Sequence, residues 1–204
     1  MPRFAETLRE QRHDDHRLYH HSRINQALHL LSASSFLAAY VLLLIDPPLA
    51  ALVAWLVGMT SRQVGHFFFE PKSYDGVNRA THAHKEEIKV GYNLRRKVVL
   101  MAIWAMLPVI LLADPSLFGL IEPHDDWRDF VRSVGLVWLI LGLAGVAFRM
   151  AQLLWREDLV ASLAWATKIA TDPFYDVKLY WRAPLQVLRG ELFSPEWQEA
   201  AKRR

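Results

Sequence analysis

The sequence predicts an all-α integral membrane bundle of about four transmembrane helices, with cytoplasmic termini and an interfacial C-terminal tail. Three observations carry this. The 204 residues are 52% hydrophobic and 22% charged, an ordinary average, but the charges are segregated. Residues 30–45, 98–113 and 133–148 carry none, and 49–61 run uncharged behind a double proline. Setting these stretches aside leaves too few apolar residues for a separate water-facing core, which excludes an ordinary soluble enzyme. Finally, Lys and Arg fall overwhelmingly on one side of the alternating spans.

The elements follow in order. The first 21 residues are charged and amphipathic, unlike a signal peptide. A first span covers 27–45 and stops at Asp46-Pro47-Pro48, which no helix continues through. A second begins at Leu49 and ends at Phe69 before Pro71, forming a tight hairpin with the first; Ser61, Arg62, Gln63 and His66 make its second half too polar to face lipid. The third covers 98–113, short enough to borrow flanking residues, and ends at Asp114-Pro115. The fourth covers 133–155. Residues 1–155 therefore read as a four-span membrane domain. Residues 156–204 read as a separate interfacial tail, broken into short segments at Asp172-Pro173 and Ala183-Pro184, that anchors on the membrane surface or roofs a site.

Charge sets the orientation. The first segment holds five Lys and Arg, the 70–97 loop seven and the tail from Arg149 nine, against only Arg128 and Arg132 on the other face. Both termini and the 70–97 loop are expected in the cytoplasm. The net charge of +3 reflects these flanking cations, so anionic headgroups rather than nucleic acid are the expected partners. With no cysteine, disulfides, thiolate metal sites and cysteine nucleophiles are excluded.

Eight of nine histidines fall at the cytoplasmic surface, His124 alone lying opposite. His29 near the start of span one and His66 near the end of span two are expected at similar depth, where buried imidazoles are costly and usually functional. His21, Asn25 and His29 recur every fourth residue, as do His66 and Glu70, so each set shares a helix face. Imidazole and carboxylate pairs at this spacing are how bundles build metal sites, with carboxylates favouring iron-type oxygen chemistry. His20, His21, His29 and His66 are the expected ligands. His82 and His84 join them if their loop folds over the hairpin, while Asn25 and Glu70 are assigned to the chemistry around the metal. The bland alternatives are hydrogen bonding among these groups and a solvated face for His13, His16, Lys85, Glu86 and Glu87.

Two motifs resemble a known family. Tyr19-His20-His21 followed by Asn25 and His29, and Gly65-His66-Phe67-Phe68-Phe69-Glu70, are similar to the Y-H-H-x-x-x-N-x-x-x-H and G-H-x-x-F-E segments of the Mpo-type 2-hydroxy fatty acid dioxygenases. The likeness covers about residues 19–71. It implies a multi-span membrane protein that uses Fe(II), held by the histidines of those motifs, to shorten 2-hydroxy fatty acids by one carbon. The leading expectation is therefore a membrane-embedded non-haem iron oxygenase acting on a lipid or fatty acyl substrate, with Arg23, Arg62 or Arg79 meeting a substrate carboxylate or headgroup. The competing classes are a di-iron lipid hydroxylase or desaturase, a b-type haem electron-transfer protein ligated by His29 and His66, and a non-catalytic membrane scaffold.

Overall fold

The computed structural model describes residues 2–88 and 94–203; their regular elements are all helices, joined by turns and loops, with two isolated bridges, Ser22 with Phe193 and Asp75 with Ala80. Lys89 and Arg204, both part of the charge asymmetry, lie outside the described residues.

Helix α1 is Pro2–Tyr19 and α2 is Arg23–Leu42. Between them His20 and His21 are non-helical, and the Ser22 side chain caps α2 by accepting from the Asn25 amide. Asp46 caps the next helix, which opens on Pro47 and Pro48, where missing amide donors cost nothing. This helix, α3, is continuous over 47–69 but widens twice into π-turns, at Ala54–Met59 and at Gly65–Phe69. It stops where Glu70 turns extended ahead of Pro71. Short α4, His82–Glu87, is capped by Thr81. Long α5, Leu94–Ala113, and α6, Trp127–Arg156, follow, then α7, Leu159–Tyr180, and the short α8, Ala183–Leu188, and α9, Pro195–Lys202.

Two cores result. The first half of α3 packs with α5 and α6 around Ala51, Leu111, Phe130, Val134, Val137 and Trp138. Here three indoles lock together: Trp55 Nε1 donates to the Trp138 carbonyl at 3.0 Å and Trp138 Nε1 to that of Trp104 at 3.1 Å. The second core, where α1, α2, the end of α3 and α7 meet, is polar.

Among the described residues, two helices, α5 over Arg95–Ala113 and α6 over Trp127–Arg156, are long and apolar enough to cross a membrane, and few of their residues are buried. The expected first and second spans do not meet that test. Helix α2 turns Asn25, Gln26, His29, Ser32 and Ser35 inward, and the second half of α3 adds Arg62, Gln63 and His66. Such polar stripes dilute a span's hydropathy while serving a polar core.

The tail departs further from expectation. Pro173 does not break it, because α7 runs through Pro173 as a 22-residue helix. Its buried face packs on α1, α2 and α6, and that packing offsets the proline's local cost of about 3 kcal/mol. Just before the proline, the Tyr40 hydroxyl donates to the Ala170 carbonyl at 2.9 Å. Residues 159–180 thus belong to the helical assembly and form one wall of its polar core.

Candidate metal centre

Three elements each deliver one imidazole to a single point. His20 sits in the α1–α2 break, its carbonyl held by Gln26 Nε2 at 2.7 Å. His29 lies two turns into α2, and His66 lies on the second π-turn of α3. Such π-turns change the direction of a side chain and recur at functional sites. All three are buried, His29 completely.

Their ligating atoms converge. His29 Nε2 lies 3.3 Å from His20 Nε2 and 3.2 Å from His66 Nε2, and the three form a set able to hold a metal ion. An ion bound at about 2.0–2.1 Å with near-tetrahedral angles sets its nitrogens about 3.2–3.4 Å apart, so the spacing fits. Hydrogen bonding alone fits less well. His29 Nε2 carries either one proton or one lone pair, yet faces two imidazole nitrogens at once.

The close approach of α2 and α3 depends on Gly65. A Cβ there would fall on Asn25 Oδ1. Asn25 is fully buried, and its Nδ2 donates both to the Tyr19 carbonyl at 2.9 Å and to Glu70 Oε2 at 2.7 Å. One amide therefore ties the end of α1, the first turn of α2 and the end of α3 beside the triad. Asn25 and Glu70, expected in the chemistry itself, hold the scaffold of the centre together.

His21 turns away. Its Nε2 lies 3.0 Å from Asp75 Oδ2, with Asn78 Nδ2 at 3.4 Å and the Trp197 ring tilted against it at 4.7 Å. Asp75 also receives Lys85 Nζ at 3.3 Å, and that ammonium donates to the Leu18 carbonyl at 2.9 Å. Lys85, expected to be solvated, is completely buried. Burial pushes the His21 imidazole below its usual range against the opposing pull of Asp75. Burial pushes Asp75 upward, but hydrogen bonds from the Asn78 side chain and backbone, with His21 and Lys85, outweigh it and hold the carboxyl below its usual range. The expected face of His21, Asn25 and His29 is thus corrected: α2 begins only at Arg23, and the break sends His20 rather than His21 to join His29. His82 and His84 also stand outside the triad, on the partly exposed α4.

The α7 wall contributes residues that the sequence reading passed over. Lys168, Asp172, Asp176 and Tyr180 recur every fourth residue and are all buried; that spacing was the available signal. Asp172 pairs with Lys168 at 2.5 Å and Arg12 at 3.4 Å. Asp176 faces Arg62 Nη1 at 3.3 Å, His29 Nδ1 at 3.7 Å and His16 Nε2 at 3.7 Å. The Tyr180 hydroxyl meets His16 Nδ1 at 2.5 Å, and its ring lies 5.6 Å from that of His20 and 6.2 Å from that of His29. Of the arginines expected to meet a substrate, Arg62 is engaged by Asp176 and Arg23 donates to Gln26 at 2.7 Å. Comparison with protein-family models, curated proteins and solved structures finds no match to this chain.

Proposed function

We propose that the protein is a membrane-embedded non-haem iron oxygenase whose His20, His29 and His66 hold one Fe(II), with a lipid-derived acyl chain as substrate. The observation that supports this above all is the convergence of three buried Nε2 atoms at 3.2 and 3.3 Å. Three neutral imidazoles suit a divalent transition metal and leave further positions for small ligands. The iron and the 2-hydroxy fatty acid are what the Mpo-type motifs imply, and the bound metal would supply the oxygen chemistry. The chain's own residues do the positioning. Asn25 and Glu70 fix the approach of α2 to α3, and the buried walls keep bulk water from the imidazoles. Tyr180 places its ring beside those of His20 and His29, with its hydroxyl on His16.

In this reading α5 and α6 cross the bilayer, the α2–α3 hairpin is embedded beside them, and the 21-to-2 distribution of Lys and Arg sets the centre and both termini on the cytoplasmic side. Competing classes fit the site less well. A haem ring between His29 and His66 needs a wider gap than 3.2 Å, and a di-iron centre needs more imidazoles than the three that converge among the described residues.

Metal analysis of the chain purified in mild detergent is the test. About one equivalent of iron is expected, absent from the double variant His29→Ala, His66→Ala. Unchanged metal in that variant rejects the centre. One equivalent of redox-inert zinc in every preparation, with no activity after iron loading, keeps the centre but rejects the oxygenase.

A further inference from the structure

Asp176 is a fully buried carboxylate on the last turns of α7. Groups from three other helices face it. Arg62 of α3 supplies a full counter-charge at 3.3 Å, which keeps an ionised carboxylate tolerable in this interior. The two remaining neighbours are imidazoles: His29 Nδ1 of α2 at 3.7 Å and His16 Nε2 of α1 at 3.7 Å.

An imidazole serves a metal through one nitrogen only if the other keeps the proton, and what that second nitrogen faces decides the tautomer. His29 shows its Nε2 to His20 and His66 and its Nδ1 to Asp176. We infer that Asp176 is the positioning carboxylate of the centre, its negative charge favouring the proton on Nδ1 of His29 so that Nε2 presents its lone pair to a divalent ion. The inference rests on the proposed metal centre and extends it to the C-terminal segment, since Asp176 lies outside both motifs. At 3.7 Å the contact is one of charge rather than a hydrogen bond. Asp176 acts through His29 and touches no reacting atom.

One turn earlier on the same face lies its control. Asp172 is also buried, but Lys168 and Arg12 pair with it. A carboxylate that only welds α7 to its neighbours should behave like Asp172.

The test titrates the full chain in detergent with Co(II) and follows the visible d–d bands, which report ligand geometry. Asp176→Asn should weaken Co(II) binding about 10–100-fold and alter the bands with helix content unchanged. Asp176→Glu should recover most of the affinity, and Asp172→Asn should leave affinity and spectrum as in the parent chain. If Asp176→Asn loses helix content, the double variant Arg62→Gln, Asp176→Asn removes the uncompensated guanidinium and is held to the same comparison. Parent-like affinity and bands without Asp176, or an equal loss in Asp172→Asn, overturn the inference and leave the centre standing. A parent chain that takes up no Co(II) removes both.

Discussion

His20 and His21 are adjacent and almost equally buried, at 4% and 6% exposure, yet they enter two clusters of opposite character. Around His21 the groups are complementary: an imidazole, a carboxylate, an amide and an ammonium satisfy one another. Around His20 three like nitrogens meet, each of which wants the same kind of partner. Burial of a histidine is therefore not what marks a site. The mark is a convergence of like ligand atoms on one point, which the second cluster shows among the described residues.

The comparison breaks most forcefully at Asp75. Asp75→Asn leaves the completely buried Lys85 without its carboxylate, and should cost about 3–5 kcal/mol of stability. Adding Lys85→Met should restore a large part of it. Denaturant unfolding of the purified chain measures both. Metal content of the folded fraction should stay at the parent level. Metal lost at unchanged stability would mean that the two clusters form one site.

How far the sequence foretold this contrast depends on the element. The depth argument placed His29 together with His66, because a hairpin closed by Asp46-Pro47-Pro48 forces similar heights. His20 and His21 were less legible, since their directions depend on where α2 begins, and helix ends are set by the Ser22 cap rather than by periodicity. On α2, Ser32 and Ser35 hid in a run of apolar residues and read as part of a span. Asp176 was missed because Pro173 looked like a breaker; four-residue spacing from Lys168 to Tyr180 outweighed it once the face was buried.

A smaller perturbation aims at the helix contact beneath the triad. Gly65→Ala puts a methyl group onto Asn25 Oδ1. Since Asn25 is buried and already shared between the Tyr19 carbonyl and Glu70, it has little room to move. Overpacking of this kind costs about 1–3 kcal/mol. Lower stability with weakened metal binding is expected, because α2 and α3 carry His29 and His66. A silent Gly65→Ala would show that the helices adjust independently of the centre.

Glu70→Gln is gentler. The Asn25 bond persists through the amide oxygen, but the charge that strengthens it goes, at a cost of about 1 kcal/mol. Against this, a carboxylate at a helix C-terminus opposes the helix dipole by roughly 0.3–1 kcal/mol. Stability should therefore change little while metal affinity falls by up to about tenfold. A more stable chain with intact metal binding would place Glu70 outside the centre's framework altogether.

The smallest effect is expected at His82 and His84, which sequence spacing offered as ligands. On α4, His84 is exposed and His82 partly so, and Thr81 Oγ1 accepts from the backbone amide of His84 rather than from its ring. Alanine preserves that amide and favours the helix slightly. The double variant His82→Ala, His84→Ala should therefore move stability by no more than about 0.5 kcal/mol and leave metal stoichiometry at the parent value. Its use is to separate two meanings of the chain's richness in histidine. If metal content per chain is unchanged here but vanishes on losing His29 and His66, convergence rather than histidine number retains the ion. A fall in stoichiometry with only the α4 pair removed would instead bring α4 over the triad in solution, and the ligand set would have to be enlarged to include it.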